Sequence, residues 1–330
     1  MKKIEVHLSN ELPSTKRNFN MRDSSLYLKV CSTHEYMPLM QKYYLEYFGQ
    51  SYHDNSLFLF IDGYLKLYIP IYCVDKALSY FDRPCEILHD FDNEIERIQA
   101  YKVLNTEFKK ILKQKFLKAT FFKDSNLLKG LFDYYSGTNV DCVAGINLEL
   151  SEVDIFGNVR KSYKSLINWG KNNLRLEIID KNNPSRDFFN VFKKLHLEAA
   201  GRLTRSEKSW DVQFDQIVAG EAFLILAYYA DLPVSGVFIL HGNKIAMYGV
   251  AAADRHLMKE NLPLTHWPLL KSIYHAKEIG MKYYNLGTLH GHFTDPKVHE
   301  IIKFKRGFCA EIQMNPIMEF SGFQELENEC

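Results

Sequence analysis

The chain has 330 residues, with 41 Lys and Arg against 40 Asp and Glu and a net charge of +1, so no global field recruits DNA or another polyanion. Any phosphate must be held by a local patch. An apolar content of 46% with 25% charged residues excludes a disordered chain, and the length is ample for two domains. No apolar run approaches the roughly 20 residues of a membrane helix, and Glu5 precedes any signal-like stretch. The six cysteines (Cys31, Cys73, Cys85, Cys142, Cys309, Cys330) form no Cys-x-x-Cys pair. They read as reduced thiols of a cytoplasmic protein, not as a disulfide framework or a zinc site.

In chain order, Tyr36 to Phe48 has the apolar spacing of a helix. Leu57 to Pro70 reads as a hairpin turning at Asp62-Gly63. Glu94 to Leu117 is a long amphipathic helix with Ile95, Ile98, Tyr101, Val103 and Leu104 expected inward. A strand over Lys118 to Phe122 and a short helix around Leu127 to Tyr135 follow. Cys142 to Leu150 begins the second half as a strand. Then come a helix (Val159 to Asn172), a strand (Leu174 to Ile179), and helices over Arg186 to Gly201 and Val212 to Gly220. Three successive strands, Ala222 to Ala230, Leu232 to His241 and Lys244 to Ala252, form a meander. A helix over Leu264 to Gly280, a strand over Met281 to Leu286 and a last strand over Phe308 to Met314 close the chain. Meandering strands flanked by helices predict an α+β architecture rather than a doubly wound one.

Four segments could carry chemistry. Between Ile155 and Leu176 there are basic residues and no acid, and Arg160, Lys164 and Lys171 share one helical face. That face suits phosphate, although charge runs are commonly solvated. Arg202, Thr204 and Arg205 follow the helix-ending Gly201 in a polar loop closed by Trp210, a set fit for bidentate anion recognition or for plain salt bridging. Tyr248 to Trp267 combines small residues with Asp254, His256 and His266 near a helix N-terminus. Finally, Lys303-Phe304-Lys305-Arg306-Gly307-Phe308 follows the Tyr283-Tyr284-Asn285-Leu286-Gly287 strand, a basic-aromatic segment at a strand-loop junction. His290, His292 and His299 gather late in the chain without metal-site spacing, so no metal is expected. No Walker loop, dinucleotide fingerprint or nucleophile elbow is present.

The order of these segments, over about residues 145 to 315, resembles the FemABX family of aminoacyltransferases within the wider GNAT-like acyltransferase superfamily. The matching order runs from the basic helix to the Gly201-Arg202 loop, Ala222-Phe223 and the meander ending at Asp254. It continues through the helix past Trp267, the strand to Gly287 and Phe304-Lys305-Arg306-Gly307-Phe308. The resemblance implies two GNAT-like domains, each a mixed, largely antiparallel sheet flanked by helices. They would be residues 1–144, with 315–330 available to complete the first, and 145–314. It implies transfer of an aminoacyl or acyl group from an activated donor onto an amine of a sugar or nucleotide-sugar precursor of the cell envelope. The co-substrate would be aminoacyl-tRNA or acyl-CoA, with no tightly bound cofactor. Lys305 would stabilise the oxyanion, and Asp254, His266 and Glu198 are possible bases. Arg160, Lys164, Arg202, Thr204, Arg205, Trp210, Tyr248, Asn285 and Phe304 would bind substrate. Two departures stand out: no long coiled-coil arm, and no Arg/Gln-x-x-Gly-x-Gly/Ala pyrophosphate loop, Met258 to Leu262 occupying its place. The alternatives are an acyl-CoA-dependent N-acyltransferase of the same fold and a non-catalytic glycan or nucleotide-sugar binding protein.

Overall fold

The structure, a computed structural model, describes residues 2–12, 24–49, 52–74, 77–115, 118–122, 128–289 and 296–321. The strands are β1 (Ile4–Leu8), β2 (His53–Asp54), β3 (Leu57–Ile61), β4 (Tyr64–Ile69), β5 (Tyr72–Cys73), β6 (Ala77–Leu78), β7 (Leu88–His89), β8 (Lys118–Phe122), β9 (Tyr135–Asn147), β10 (Arg175–Ile179), β11 (Ala222–Tyr229), β12 (Leu232–His241), β13 (Ile245–Ala253), β14 (Tyr283–Thr288) and β15 (Glu311–Ser321). The α-helices are α1 (Tyr27–Val30), α2 (Pro38–Phe48), α3 (Glu94–Lys115), α4 (Glu152–Asn158), α5 (Lys161–Asn173), α6 (Arg186–Ala200), α7 (Glu207–Ala219), α8 (Arg255–Lys259), α9 (His266–Glu278) and α10 (Pro296–Arg306). The chain divides into two compact units. One comprises residues 1–30, 50–141 and 314–330, and the other 31–49 and 142–313.

In the first unit β1, β3, β4 and β7 form an antiparallel sheet. Asp62 and Gly63 both take positive φ, the conformation a two-residue hairpin turn requires. β8 pairs with β15 antiparallel and with β6 in parallel. Helix α3 buries Ala100, Tyr101, Leu104 and Phe108 against Leu57, Leu59, Leu67 and Phe121. This corrects the expected inward face, since Ile95 and Ile98 are exposed. At about 100° per residue, Ile95 and Ile98 fall on the sides of the helix away from the buried stripe.

The second unit is built on the strand order β10-β11-β12-β13-β14-β9, with residues 143–147 of β9 in the ladder. Neighbours are antiparallel except β13 and β14, which are parallel. β11 (AFLILAYY) is almost wholly apolar because both of its faces are covered. Phe223, Ile225, Val237 and Ile239 pack with Leu269, Leu270 and Ile273 of α9. The opposite face puts Phe238 against Phe189 and Phe192 of α6.

Residues 31–49 belong to this second unit, where the sequence had placed them in the first domain. The amides of Asn243 and Ile245 donate to the carbonyls of Cys31 and Ser32. Helix α2 packs on α7, with Gln216 reaching the Met40 sulfur. The tie is a tertiary one that no local sequence pattern announces.

Candidate functional site

The feature that organises the second unit is the short ladder between β13 and β14. Only Ile245, Ala246 and Met247 pair with Tyr283, Tyr284 and Asn285, although β13 runs on to Ala253 and β14 to Thr288. Beyond Met247 and Asn285 the two strands part. Opposite Phe238 and Ile239 of β12, β13 carries a bulge that leaves Gly249 outside the register. On β14, Gly287 takes φ +86° and the register with β9 shifts there. Its backbone N–H donates to the Asn285 Oδ1 at 2.6 Å. Asn285, expected to bind substrate, is therefore occupied in shaping this turn.

Lys305 reaches the parting strands. Its Nζ donates to the Thr288 carbonyl at 3.2 Å. A Cβ added at Gly287 would lie 3.0 Å from that Nζ, so the glycine makes room for the ammonium. The basic-aromatic segment is not a loop, as the sequence suggested. It is the last turn of α10, where Lys303, Lys305 and Arg306 also suit the negative end of the helix dipole.

His266 opens α9 and is enclosed by aromatic rings: Tyr163 at 4.6 Å, Phe304 at 5.3 Å and Phe308 at 6.1 Å between centroids. Its Nδ1 is buried without a hydrogen-bond partner. Burial pushes the imidazole down to about 4, so it is neutral at pH 7. A neutral imidazole of that basicity can accept a hydrogen bond but makes a weak proton sink. The remaining base candidates fare differently. The Asp254 carboxylate caps α8, accepting from the amides of His256 at 2.8 Å and Leu257 at 3.0 Å. Glu198 is exposed, 3.9 Å from Lys194.

The other expected residues separate into two places. Arg160 caps α5, with its own N–H on the Gly307 carbonyl and its guanidinium over Tyr163. Lys164 donates to the Gly157 carbonyl and lies over Phe156. Tyr248, half-buried on β13, packs into the sheet-α9 core, and burial pushes its hydroxyl up to about 12. Arg160 and Phe304 meet at the Tyr163 ring, which packs on His266.

The α6–α7 loop is a correction. Arg205 donates to the Tyr43 hydroxyl and to the Gln213 side chain, both at 3.0 Å, and stacks 4.4 Å over Trp210. Trp210 is buried among Phe189, Phe192 and His196. Arg205 and Trp210 thus hold α2 and α7 together, and Thr204 Oγ1 is sealed from solvent. Arg202 is exposed on the same loop. Two arginines and a hydroxyl on a loop satisfy a structural role as readily as an anion, and here Tyr43, distant in sequence, is the partner.

Sequence reasoning missed Tyr163, Phe156 and Trp267, whose signal was available as aromatics interleaved with the basic positions of α5 and at the start of α9. Among the described residues no group of three His, Cys, Asp or Glu side chains could hold a metal. His256 faces Glu260, His299 is exposed, and His290 and His292 lie outside the described residues. A cleft in the first unit, lined by Lys2, Asp62, Tyr64, Lys66, Asp92 and Glu96, has its charges joined to each other: Lys2 to Glu96 and Lys66 to Asp92. No described helix is long and apolar enough to cross a membrane.

The fold is GNAT-like, of the FemABX type, in two units. The chain is similar to the crystal structure of FemX, with a TM-score of 0.58 and 12% identity over 84% of this chain and 90% of that one. It is similar also to L-PGS from Bacillus licheniformis (TM-score 0.51, 13% identity, 86% of this chain and 91% of that chain). A tandem GNAT protein from the clavulanic acid biosynthesis pathway matches at TM-score 0.51 and 9% identity, over 97% of this chain and 98% of that one. At these identities the likeness establishes the fold. No family model and no curated protein matches the sequence.

Proposed function

We propose that the second unit transfers an aminoacyl or acyl group from an activated donor to an amine. The observation that carries this is the Lys305 ammonium, held on the Thr288 carbonyl where β13 and β14 part, beside an aromatic enclosure around a neutral imidazole. FemX, L-PGS and the tandem GNAT protein support the reading at the level of fold. The donor carbonyl seats between the strands with its oxygen toward Lys305. The amine attacks that carbonyl, a C–N bond forms, and the oxygen gains the negative charge that the ammonium stabilises. Collapse breaks the bond to the alcohol or thiol leaving group, and the amine proton leaves with that group or with water. His266 accepts a hydrogen bond and orients the amine rather than storing its proton, because its basicity is too low. With an ester or thioester already activated, orientation and charge stabilisation supply most of the acceleration.

The acceptor class is an amino group on a sugar or nucleotide-sugar of the cell envelope, and the donor aminoacyl-tRNA or acyl-CoA. The test is transfer by the purified protein from each donor to amino-sugar nucleotides. Lys305→Ala is expected to lower kcat by about 100- to 1,000-fold, and unchanged turnover would remove Lys305 from the mechanism. Thermal shift with each donor discriminates between them, since a ligand that binds the folded state raises Tm. Saturable binding of a sugar nucleotide without transfer from either donor would favour a binding protein instead.

A further inference from the structure

Three cations of α5 lie in a row over aromatic rings. Arg160 lies over Tyr163 at 5.1 Å, Lys164 over Phe156 at 5.3 Å, and Lys171 over both Phe156 and Trp267, at 5.3 and 5.1 Å. Arg175 over Tyr228 and Arg186 over Phe214 are ring-stacked too, but each is also joined to a carboxylate, Glu177 and Asp211. Arg160, Lys164 and Lys171 have no carboxylate partner among the described residues, and the sequence holds no acid from 155 to 176. Their charges are positioned by half-buried rings and left unneutralised. A solvated basic face needs no such positioning.

The first end of the row adjoins the Lys305 segment. Tyr163, at its first end, packs on His266, Phe304 and Phe308, and the Arg160 amide bonds the carbonyl of Gly307, two residues after Lys305. Trp267, at its other end, follows His266 in sequence. A close approach fixes α5 on α9: a Cβ at Gly170 would lie 2.5 Å from the Trp267 Cβ. From Arg160 to Lys171 the helical rise gives about 16 Å, room for more than one phosphate.

We propose that Arg160, Lys164 and Lys171, with Phe156, Tyr163 and Trp267, form a subsite for the phosphates of a nucleotide-bearing ligand, which lies along α5 and presents its reacting end to Lys305. Cations take the phosphates, and the ring edges pack the nucleoside. The subsite rests on the acyl-transfer reading only for its direction toward Lys305. The ligand chemistry is the nucleoside phosphate, and three probes separate its sources: coenzyme A, a UDP-amino sugar and a short single-stranded RNA.

The test is a binding titration, by tryptophan fluorescence and calorimetry, of each probe against the wild type, Lys164→Gln/Lys171→Gln and Lys305→Ala. At least one probe is expected to bind the wild type with salt-sensitive affinity and to lose tenfold or more in the double variant, while Lys305→Ala retains binding. Saturable binding that changes less than twofold in the double variant, or no binding of any probe, overturns the subsite. If the double variant unfolds, Lys171→Gln alone, exposed near the helix end, carries the same test with a threefold expected loss. Binding that the double variant weakens, without any transfer, would keep the subsite and sink the transfer reading; transfer with binding that the double variant leaves unchanged would do the reverse.

Discussion

At the residue scale, His266 makes the clearest claim on solution behaviour. Its ordinary value is 6.5 and burial lowers it to about 4. Between those values the unfolded chain binds a proton that the folded chain refuses, so stability is full above about pH 6.5 and falls as the pH drops toward 4. From pH 7.5 to pH 5 the loss from this one group is about 2 kcal/mol. His196, lowered to about 4 by burial and then by the Arg205 charge, acts in the same direction. Urea unfolding at both pH values measures the loss, and His266→Phe, which keeps a ring in the aromatic enclosure, is expected to flatten the slope. A slope that the substitution leaves unchanged would mean that the folded protein protonates His266 near its ordinary value. Arg205 poses a second residue-scale question, because its bonds to Tyr43 and Gln213 and its stacking on Trp210 are structural. Arg205→Ala is expected to cost about 2–4 kcal/mol of stability, since it leaves buried partners unsatisfied. An unaltered Tm with lost substrate affinity would restore its role as an anion ligand.

At the scale of elements, two glycines in neighbouring helices make opposite predictions. Gly170 lets α5 sit against α9, and any side chain there meets the Trp267 Cβ, close to the backbone of α9. Gly170→Val is expected to lower stability by about 1–3 kcal/mol through overpacking. Gly157, inside α4, has open space where its Cβ would be. Gly157→Ala is expected to raise stability by about 0.5–1 kcal/mol, because alanine loses less conformational freedom on folding a helix. Chemical denaturation of the pair checks both signs. The helix starts follow from local chemistry: Ser151, Ser185 and Ser206 each accept an amide three residues on, at the N-termini of α4, α6 and α7. Gly201 and Gly220 end α6 and α7 in the left-handed conformation.

At the scale of the whole molecule, the chain enters the second unit at residue 31, leaves after residue 49 and returns at residue 142. The segment 31–49 supplies backbone acceptors for Asn243 and Ile245 and the aromatic face that receives Arg205. A fragment of residues 142–313 alone is therefore expected to show a lower Tm, or no cooperative unfolding, compared with one carrying 31–49 joined by a flexible linker. Scanning calorimetry of the two fragments measures the difference. Equal midpoints would mean that the segment only rests on the sheet.

The sequence made the elements readable because their signals are short-range. Asp62-Gly63 turns a hairpin by its own φ angles, the apolar run of β11 reports a strand covered on both faces, and Ser and Gly punctuate the helices. The ordered segments from Arg160 to Phe308 carried the resemblance to a GNAT-like fold, and the fold bears that out. What the sequence left open is whatever depends on partners far along the chain. Arg205 had the composition of an anion ligand until Tyr43 took it, and Asp254 that of a base until α8 took its carboxylate. Lys305 gained its position from Thr288 and from the space at Gly287, and His266 its neutrality from rings on α5 and α10. Local propensity and periodicity determine where this chain bends and which faces it buries. Charge state and direction of a side chain follow from desolvation and contact, which exist only once the strands and helices have met.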